Sequence, residues 1–542
     1  MRAATCLAAA LLTAAALGSA AAQSSLPEAQ QAAINTVFQD FNQRTPGCAL
    51  GVVRAGALVF AHGYGMASLE SHTAVTPATV MEIGSVSKQF TATSIFLLAH
   101  AGKLSLDDPI RKYIPEMPRY PWPVTIRELL HHTSGVRDVI SLMETSGIPY
   151  GDFATMPDAL AMIERQRGLN FPPNSAYMYS NSGYVLLAEI VRRVSGEPLP
   201  KFAASNIFQP LGMGHTQIVD DATLIVPGRA RTYARTPTGY RLADSHWEQI
   251  GDGAVNTTVG DMALWARNML HPTVGGPWLI RDLTTQGVLN NGQQIAYAGG
   301  LEVDHYRGLE RWAHAGSWQG FRAEFMRFPG QQLSLVTLCD GASTNPGPRT
   351  EKLADILLAG ELAPAAAAPA AVALSAAQLA GYAGLYWSAA RHDLRRAQIR
   401  DGRLRLGRAP LTPVGAGRFL MGTTTVEFQP ATGGMRLVLA PGEQLRRVPQ
   451  ATPAAVQLAA LTGRYRSIDL QVSWTVSVQS GQLELHALGA NPNRLDTDHD
   501  YVMTPGPAGV YSAGPYLLQF EGSSFRLYNG RAGGMLFTRA AP

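Results

Sequence analysis

Ser85 and Lys88 stand three residues apart in EIGSVSKQF, just where an apolar helical pattern, FTATSIFLLAH, begins. Residues i and i+3 share one face of a helix. A serine hydroxyl is a poor nucleophile near neutral pH, and an adjacent amine whose pKa is lowered by burial can act as its base. The start of a helix also offers backbone N–H groups to an oxyanion. The chain has only five lysines and this spacing occurs once. By itself the pair fits equally well a helix-start serine beside a surface lysine.

Two further segments add the groups that such a pair needs. In FPPNSAYMYSNSGYVLLAEI, Tyr179-Ser180-Asn181 sits at the entrance to another helical pattern. A phenol beside a cation can ionise and relay a proton, and Asn181 can donate to a substrate carbonyl or hold Lys88 in place. In RWAHAGSWQGFRAEF, His314-Ala315-Gly316-Ser317 leads into a strand, and Gly316 leaves room for substrate backbone beside it.

These segments need a scaffold. Residues 26–42 have the pattern of an amphipathic helix, and CALGVVRAG with ALVFAHGYG predicts a β-hairpin turning at Ala55-Gly56. Helical patterns follow at 86–102, 124–131, 156–165, 182–195 and 259–270, and strands return at RAEFMRFP and LSLVTLC. Strands at both ends with helices between predict one sheet assembled from both termini, an α/β (α+β) domain over 23–362. An Ala/Pro linker follows at 363–373. Beyond it QLAGYAGLYWS (378–388) aligns without a gap on QLAALTGRYRS (457–467), so two homologous units, 374–450 and 451–542, follow. Their short alternating strands and frequent Gly and Pro turns suit small antiparallel β-barrels. The second copy carries an insertion near 491–500 that includes Asp496, Asp498 and Asp500.

The first 22 residues, one Arg and then a run of Ala and Leu closing on Ala20-Ala21-Ala22, have the pattern of a cleavable secretory leader, so export to the periplasm or medium is expected. No later stretch is apolar for long enough to span a bilayer. A formal net charge of +4 is too small to argue for nucleic acid. Cys48 and Cys339 lie in apolar strand-like runs; a disulfide and two buried thiols are both compatible with them. No Cys/His spacing suggests a zinc site, and neither metal nor cofactor is expected. His131 and His132 are read as structural, and the Asp107-Asp108 pair suggests neither a metal nor a glycosidase.

Taken in order, the three motifs resemble those of the penicillin-recognising serine hydrolases, the class C β-lactamase-like group (peptidase family S12) that holds β-lactamases, D,D-peptidases, D-aminopeptidases and esterases. The resemblance covers roughly residues 26–362 and includes ELLHHTSGVRD (128–138), LSLDDPIRKYIPE (104–116) and VNTTVGDMALWARNML (255–270). It implies Ser85 as nucleophile, Lys88 and Tyr179 sharing acid and base work, Asn181 orienting substrate, and the backbone N–H groups of Ser85 and Ser317 as oxyanion hole. His314 stands where β-lactamases and D,D-peptidases of the family usually have Lys. A His near its ordinary pKa of about 6.5 is largely neutral at pH 7 and anchors a substrate carboxylate less well.

The layout, with two lipocalin-like barrels, resembles the D-aminopeptidase branch, in which a loop of the last barrel enters the active site. The insertion at 491–500 is the candidate here, with a carboxylate for the substrate's α-ammonium. The expected activity is acyl-enzyme hydrolysis of a small peptide or D-amino acid amide. A carboxylesterase, a β-lactamase or D,D-carboxypeptidase, and a non-catalytic protein that binds penicillin or cell-wall fragments are the alternatives. The expected partner is a small-molecule or peptide substrate; the oligomeric state stays open.

Overall fold

Cys48 and Cys339 face each other in register on neighbouring antiparallel strands, where they form a disulfide. That pairing joins the two ends of the first domain. In the computed structural model, which describes residues 25–540 apart from 149–151, 366, 368, 423, 433, 441–442, 488–498 and 508, a six-stranded antiparallel sheet forms the domain's centre. Its strands are β1 (Cys48–Arg54), β2 (Ala57–Tyr64), β3 (Glu302–Tyr306), β4 (Leu309–Trp318), β5 (Phe321–Phe328) and β6 (Leu333–Cys339), in the order β3-β4-β5-β6-β1-β2. The leader expected over 1–22 lies outside the described residues.

Alternate residues of each strand serve two cores. Leu50 and Val52 of β1 join Met326, Phe328 and Leu335 under two helices, α1 (Glu28–Val37) and α5 (Pro346–Leu357). Ala49 and Val53 face the opposite side, where α2 (Lys88–His100), α3 (Asn181–Ser195) and α4 (Val259–Asn268) pack. Gly51 lets α4 approach, since a Cβ there would stand 3.2 Å from Val259 Cβ. The first helix is shorter than its apolar pattern predicts: it stops at Val37, and the chain goes on in turns.

α2 is buried on nearly all its faces, so its polar side chains are tied to backbone or to one another. Thr93 and Ser94 bond back to Gln89 O and Phe90 O, and Gln89 Oε1 accepts from Trp265 Nε1. α3 begins at Asn181 and ends on Gly196 in the left-handed region, φ 79°. Among the described residues no helix is long and apolar enough to cross a membrane.

Two nine-stranded antiparallel sheets, each curled into a nearly closed barrel, follow at Gly384–Val448 and Gly463–Arg539. Their topologies match: in each, the first strand pairs with both the second and the last. The repeated QLAGY and QLAAL segments form short helices, Ala376–Tyr382 and Ala455–Ala460, that lead into each barrel. The first barrel has its own core around Phe419, Phe428 and Leu437. The core of the second runs on into that of the first domain.

The second barrel is fastened by polar contacts as well. Buried Asp469 binds Arg137 and Arg167, at 3.5 and 2.7 Å. At the turn between the strands Ser524–Asn529 and Ala532–Arg539, Arg531 O accepts from the Asp138 N–H and from Asn170 Nδ2. Gly533 N donates in turn to Asn170 Oδ1. This turn stands at the edge of the cavity that contains Ser85.

Candidate active site

Ser85 lies in a short 3-10 turn, Gly84–Ser87, that runs straight into α2, so Lys88 is the first residue of the helix. This brings Lys88 Nζ within 3.1 Å of Ser85 Oγ. The ammonium is fully buried and donates also to Asn181 Oδ1 at 3.0 Å and to the Asp252 carbonyl at 2.6 Å. Burial drives the Lys88 pKa well below its ordinary value; Arg531 pushes the same way, while Asp252 and Asp138 oppose it. Desolvation dominates because, among the described residues, no carboxylate touches the ammonium. The buried Asp252 carboxyl is pushed up for the same reason, with Lys88 opposing.

Asn181, at the start of α3, is held at both ends of its amide. Its Nδ2 and its backbone N–H both donate to Asp138 Oδ2, at 3.0 and 2.7 Å. Asp138 is fully buried; its Oδ1 takes the Ser141 N–H and stands 3.3 Å from the Arg531 guanidinium. A chain of contacts therefore runs from the second barrel through Asp138 and Asn181 to Lys88.

The Tyr179 ring lies 4.9 Å from Lys88 Nζ on one side, 5.3 Å from the Arg531 guanidinium and 4.2 Å from the His132 ring. Among the described residues its buried hydroxyl has no well-formed hydrogen bond. Burial raises the phenol pKa well above the ordinary value, while the Ser85 hydroxyl and Arg531 act in the opposite direction. His132 does more than shape a turn: its Nδ1 accepts from the Ser180 N–H at 3.1 Å and its ring touches both Tyr179 and Tyr297. Asp107 and Asp108 stay in their loop, bound to Arg127 and Lys112.

His314 sits within β4 rather than before it, buried, with both ring nitrogens engaged. Nδ1 is 2.7 Å from the Ala315 carbonyl and so carries the proton; Nε2, 2.9 Å from Tyr297 Oη, accepts. Burial, aided by the Lys88 charge, holds its pKa down at about 3, so the ring is neutral. It forms a wall of the cavity instead of a cationic anchor.

Gly316 has a different reason from the expected space for substrate. A Cβ there would lie 2.0 Å from the Ile83 carbonyl, so the missing side chain is filled by the chain just before Ser85. Gly84 answers from the other side: it has φ 48°, and a Cβ on it would meet Ser317 N at 2.6 Å. The two glycines let the Ser85 turn press against β4, bringing the Ser85 and Ser317 backbones together.

A cavity of about 740 Å³ opens over these groups. Ser85, Tyr179, Asn181, His314, Gly316 and Ser317 line it, and so do Asp252, Glu302, Glu324 and Arg531, which sequence reasoning had not picked out. Two of the residues that went unremarked lie in quoted segments: Glu324 in RWAHAGSWQGFRAEF, and Asp138, which holds Asn181, as the last residue of ELLHHTSGVRD. Of the insertion, residues 491–498 lie outside the described residues. Asp500 pairs with His486 at 2.6 Å on an exposed strand and does not line the cavity.

Curated relatives include a D-aminopeptidase of Gluconobacter oxydans, 26% identical over 54% of this chain and 55% of the relative. Another is a D-aminopeptidase of Brucella anthropi, 28% identical over 56% and 58%. The chain thus spans less than two thirds of the length of these relatives. The penicillin-binding protein homologue of Pyrococcus abyssi matches with a TM-score of 0.55 at 19% identity, over 94% of this chain and 99% of its own. D-amino acid amidase of Ochrobactrum anthropi SV3, complexed with L-phenylalanine amide, matches with a TM-score of 0.52 at 22% identity, over 61% and 99%. The family described as Beta-lactamase matches residues 34–360, more than half of the chain and a span that holds Ser85, Lys88, Tyr179, Asn181 and β4. This chain belongs to the beta-lactamase family.

Proposed function

We propose that this protein is an exported serine hydrolase that cleaves the amide bond of a small peptide or D-amino acid amide through an acyl-enzyme on Ser85. The observation that carries this reading is the 3.1 Å contact between Ser85 Oγ and a lysine whose charge is disfavoured by burial. Neutral Lys88 takes the Ser85 proton as Oγ attacks the amide carbonyl. The developing oxyanion is received by the Ser85 and Ser317 N–H groups, a contribution of up to about 4 kcal/mol for one donor. Tyr179, its hydroxyl free of other bonds, hands a proton to the departing amine. Water then attacks the ester carbonyl, its proton passing to the Tyr179 phenolate, while the Lys88 ammonium returns a proton to the departing Ser85 oxygen.

The neutral, wall-forming His314 supports amides over penicillin-like acids, since no ammonium stands at that position for a carboxylate. The names of the relatives, D-aminopeptidases and a D-amino acid amidase, agree with this substrate class. The Cys48–Cys339 disulfide supports export, because such bonds persist in oxidising compartments.

Two assays test the reading. A fluorophosphonate should add its mass to Ser85, and D-alanine p-nitroanilide should be hydrolysed alongside p-nitrophenyl esters. Absence of any label would overturn the hydrolase reading, and ester turnover without amide turnover would replace it with a carboxylesterase.

A further inference from the structure

Among the described residues, Glu324 is the one carboxyl of the cavity that is buried without a partner. It is 7% exposed, lines the cavity, and accepts no hydrogen bond or ion pair among the described residues. Its place follows from the sheet. Glu324 lies opposite Ala315, and cross-strand partners project to the same face, so it points to the side of α5 while His314 and Gly316 point to α2. The two sides communicate because β3 ends its pairing with Glu302 opposite Ala313; among the described residues His314–Trp318 have a strand on the β5 side only. The cavity passes over that free edge, across the small side chains of Ala313 and Ala315.

The charges around Glu324 are one-sided. Glu302 and Glu351 line the same end of the cavity. The cation there, Arg311, is already taken: it grips Asp304 with two bonds, at 2.8 and 2.6 Å, and reaches Glu351 at 3.3 Å. Burial, with Glu302 and Glu351 adding to it and Arg311 opposing, pushes the Glu324 carboxyl up to about 8. A buried carboxyl in such a setting lacks a cation. Beside it there is room for one, since Gly347 has no side chain and even a Cβ there would stay 3.5 Å from Glu324 Oε2.

We propose that Glu324, with Glu302 beside it, forms a cation subsite of the active-site cavity that seats the ammonium of an amine-bearing amide substrate. The proposal rests on the hydrolase reading and assigns the amine specificity to the catalytic domain's own sheet. An ammonium entering there forms charge-assisted hydrogen bonds with a carboxylate that gains its charge as the cation arrives.

The test compares the wild type with Glu324→Gln, a near-isosteric neutral variant, and with Glu302→Gln. Protection of Ser85 from a neutral fluorophosphonate is measured with n-butylammonium and with n-butanol, each variant's own labelling rate serving as its reference. Hydrolysis of D-alanine p-nitroanilide is then set against that of its N-acetyl derivative. The ammonium should protect the wild type and n-butanol should not. Glu324→Gln should reduce that protection, and the preference for the free amine, by at least about tenfold, through KM more than kcat. Glu302→Gln should show a smaller loss in the same direction, and both variants should melt as the wild type does. Protection and preference unchanged in Glu324→Gln would overturn the subsite while leaving the hydrolase reading intact. Glu324-dependent ammonium protection without any amide turnover would overturn the amide-hydrolase reading and keep the subsite.

Discussion

The guanidinium of Arg531, carried on a turn of the last barrel, stands 3.3 Å from Asp138 Oδ1 while Asp138 Oδ2 holds the amide of Asn181. Through Asn181 Oδ1 the contact reaches Lys88 Nζ at 3.0 Å. A turn 446 residues away in sequence from Ser85 is thus linked by contacts to the Ser85–Lys88 pair.

That chain of contacts can be broken at either end. Asp138→Asn leaves donors facing donors in a fully buried position and should cost about 2–4 kcal/mol of stability. Arg531→Ala acts at a side chain 35% exposed and should cost roughly 1 kcal/mol or less. Chemical denaturation measures both. Equal costs would mean that Arg531 is as essential to the Asp138 site as the buried donors are.

The pH dependence of acylation should report Lys88. Its folded pKa lies below the ordinary 10.5, so kcat/KM should rise with pH as the amine loses its proton and level off below pH 10. Arg531→Ala removes a cation that helps to lower this pKa and should move the limb to higher pH by roughly half a pH unit. Asp252→Asn removes an anion that raises it and should move the limb down. The same sign governs stability: between the lowered folded pKa and 10.5 the unfolded chain binds the extra proton, so the Lys88 contribution to stability rises with pH across that window. Shifts of the same sign in both variants would refute the assignment.

No histidine should appear in that profile. His314 is held near 3, well below the assay range, so His314→Gln should leave the position of the limb unchanged even where it lowers the rate. An inflection near 6.5 that vanishes in this variant would show that the ring titrates during turnover.

Tyr179→Phe removes a hydroxyl that makes no well-formed hydrogen bond among the described residues. Stability should change by no more than about 0.5 kcal/mol, while single-turnover acylation should slow by about 10²-fold to 10⁴-fold. A slow variant that is also unstable would make the hydroxyl structural rather than catalytic.

The disulfide closes a span of 291 residues between two central strands. Cys48→Ala with Cys339→Ala should lower stability by about 2–5 kcal/mol, read by denaturation under non-reducing conditions. No change would mean that β1 and β6 hold their register on backbone pairing alone.

Much of the site was legible because its parts are local. Ser85 and Lys88 are one helical turn apart, Tyr179 and Asn181 lie in one tripeptide, and each sits at the start of a helix whose apolar pattern is plain in the chain. The repeat at 378 and 457 announced two barrels, because duplicated strands and turns reproduce the same pairing. The roles of Gly316 and His314 were less legible: what they touch, the Ile83 carbonyl and Tyr297, comes from elsewhere in the chain.

The sequence by itself therefore determined which residues stand at the head of α2 and α3, since spacing along one helix fixes which side chains are neighbours. The tertiary structure alone decided that Asp138 and Arg531 hold Asn181, that Cys48 meets Cys339, and that Glu324, behind the edge of β4, is unpaired among the described residues. Such relations depend on burial and on approaches between distant segments, and it is burial that displaces the Lys88 pKa.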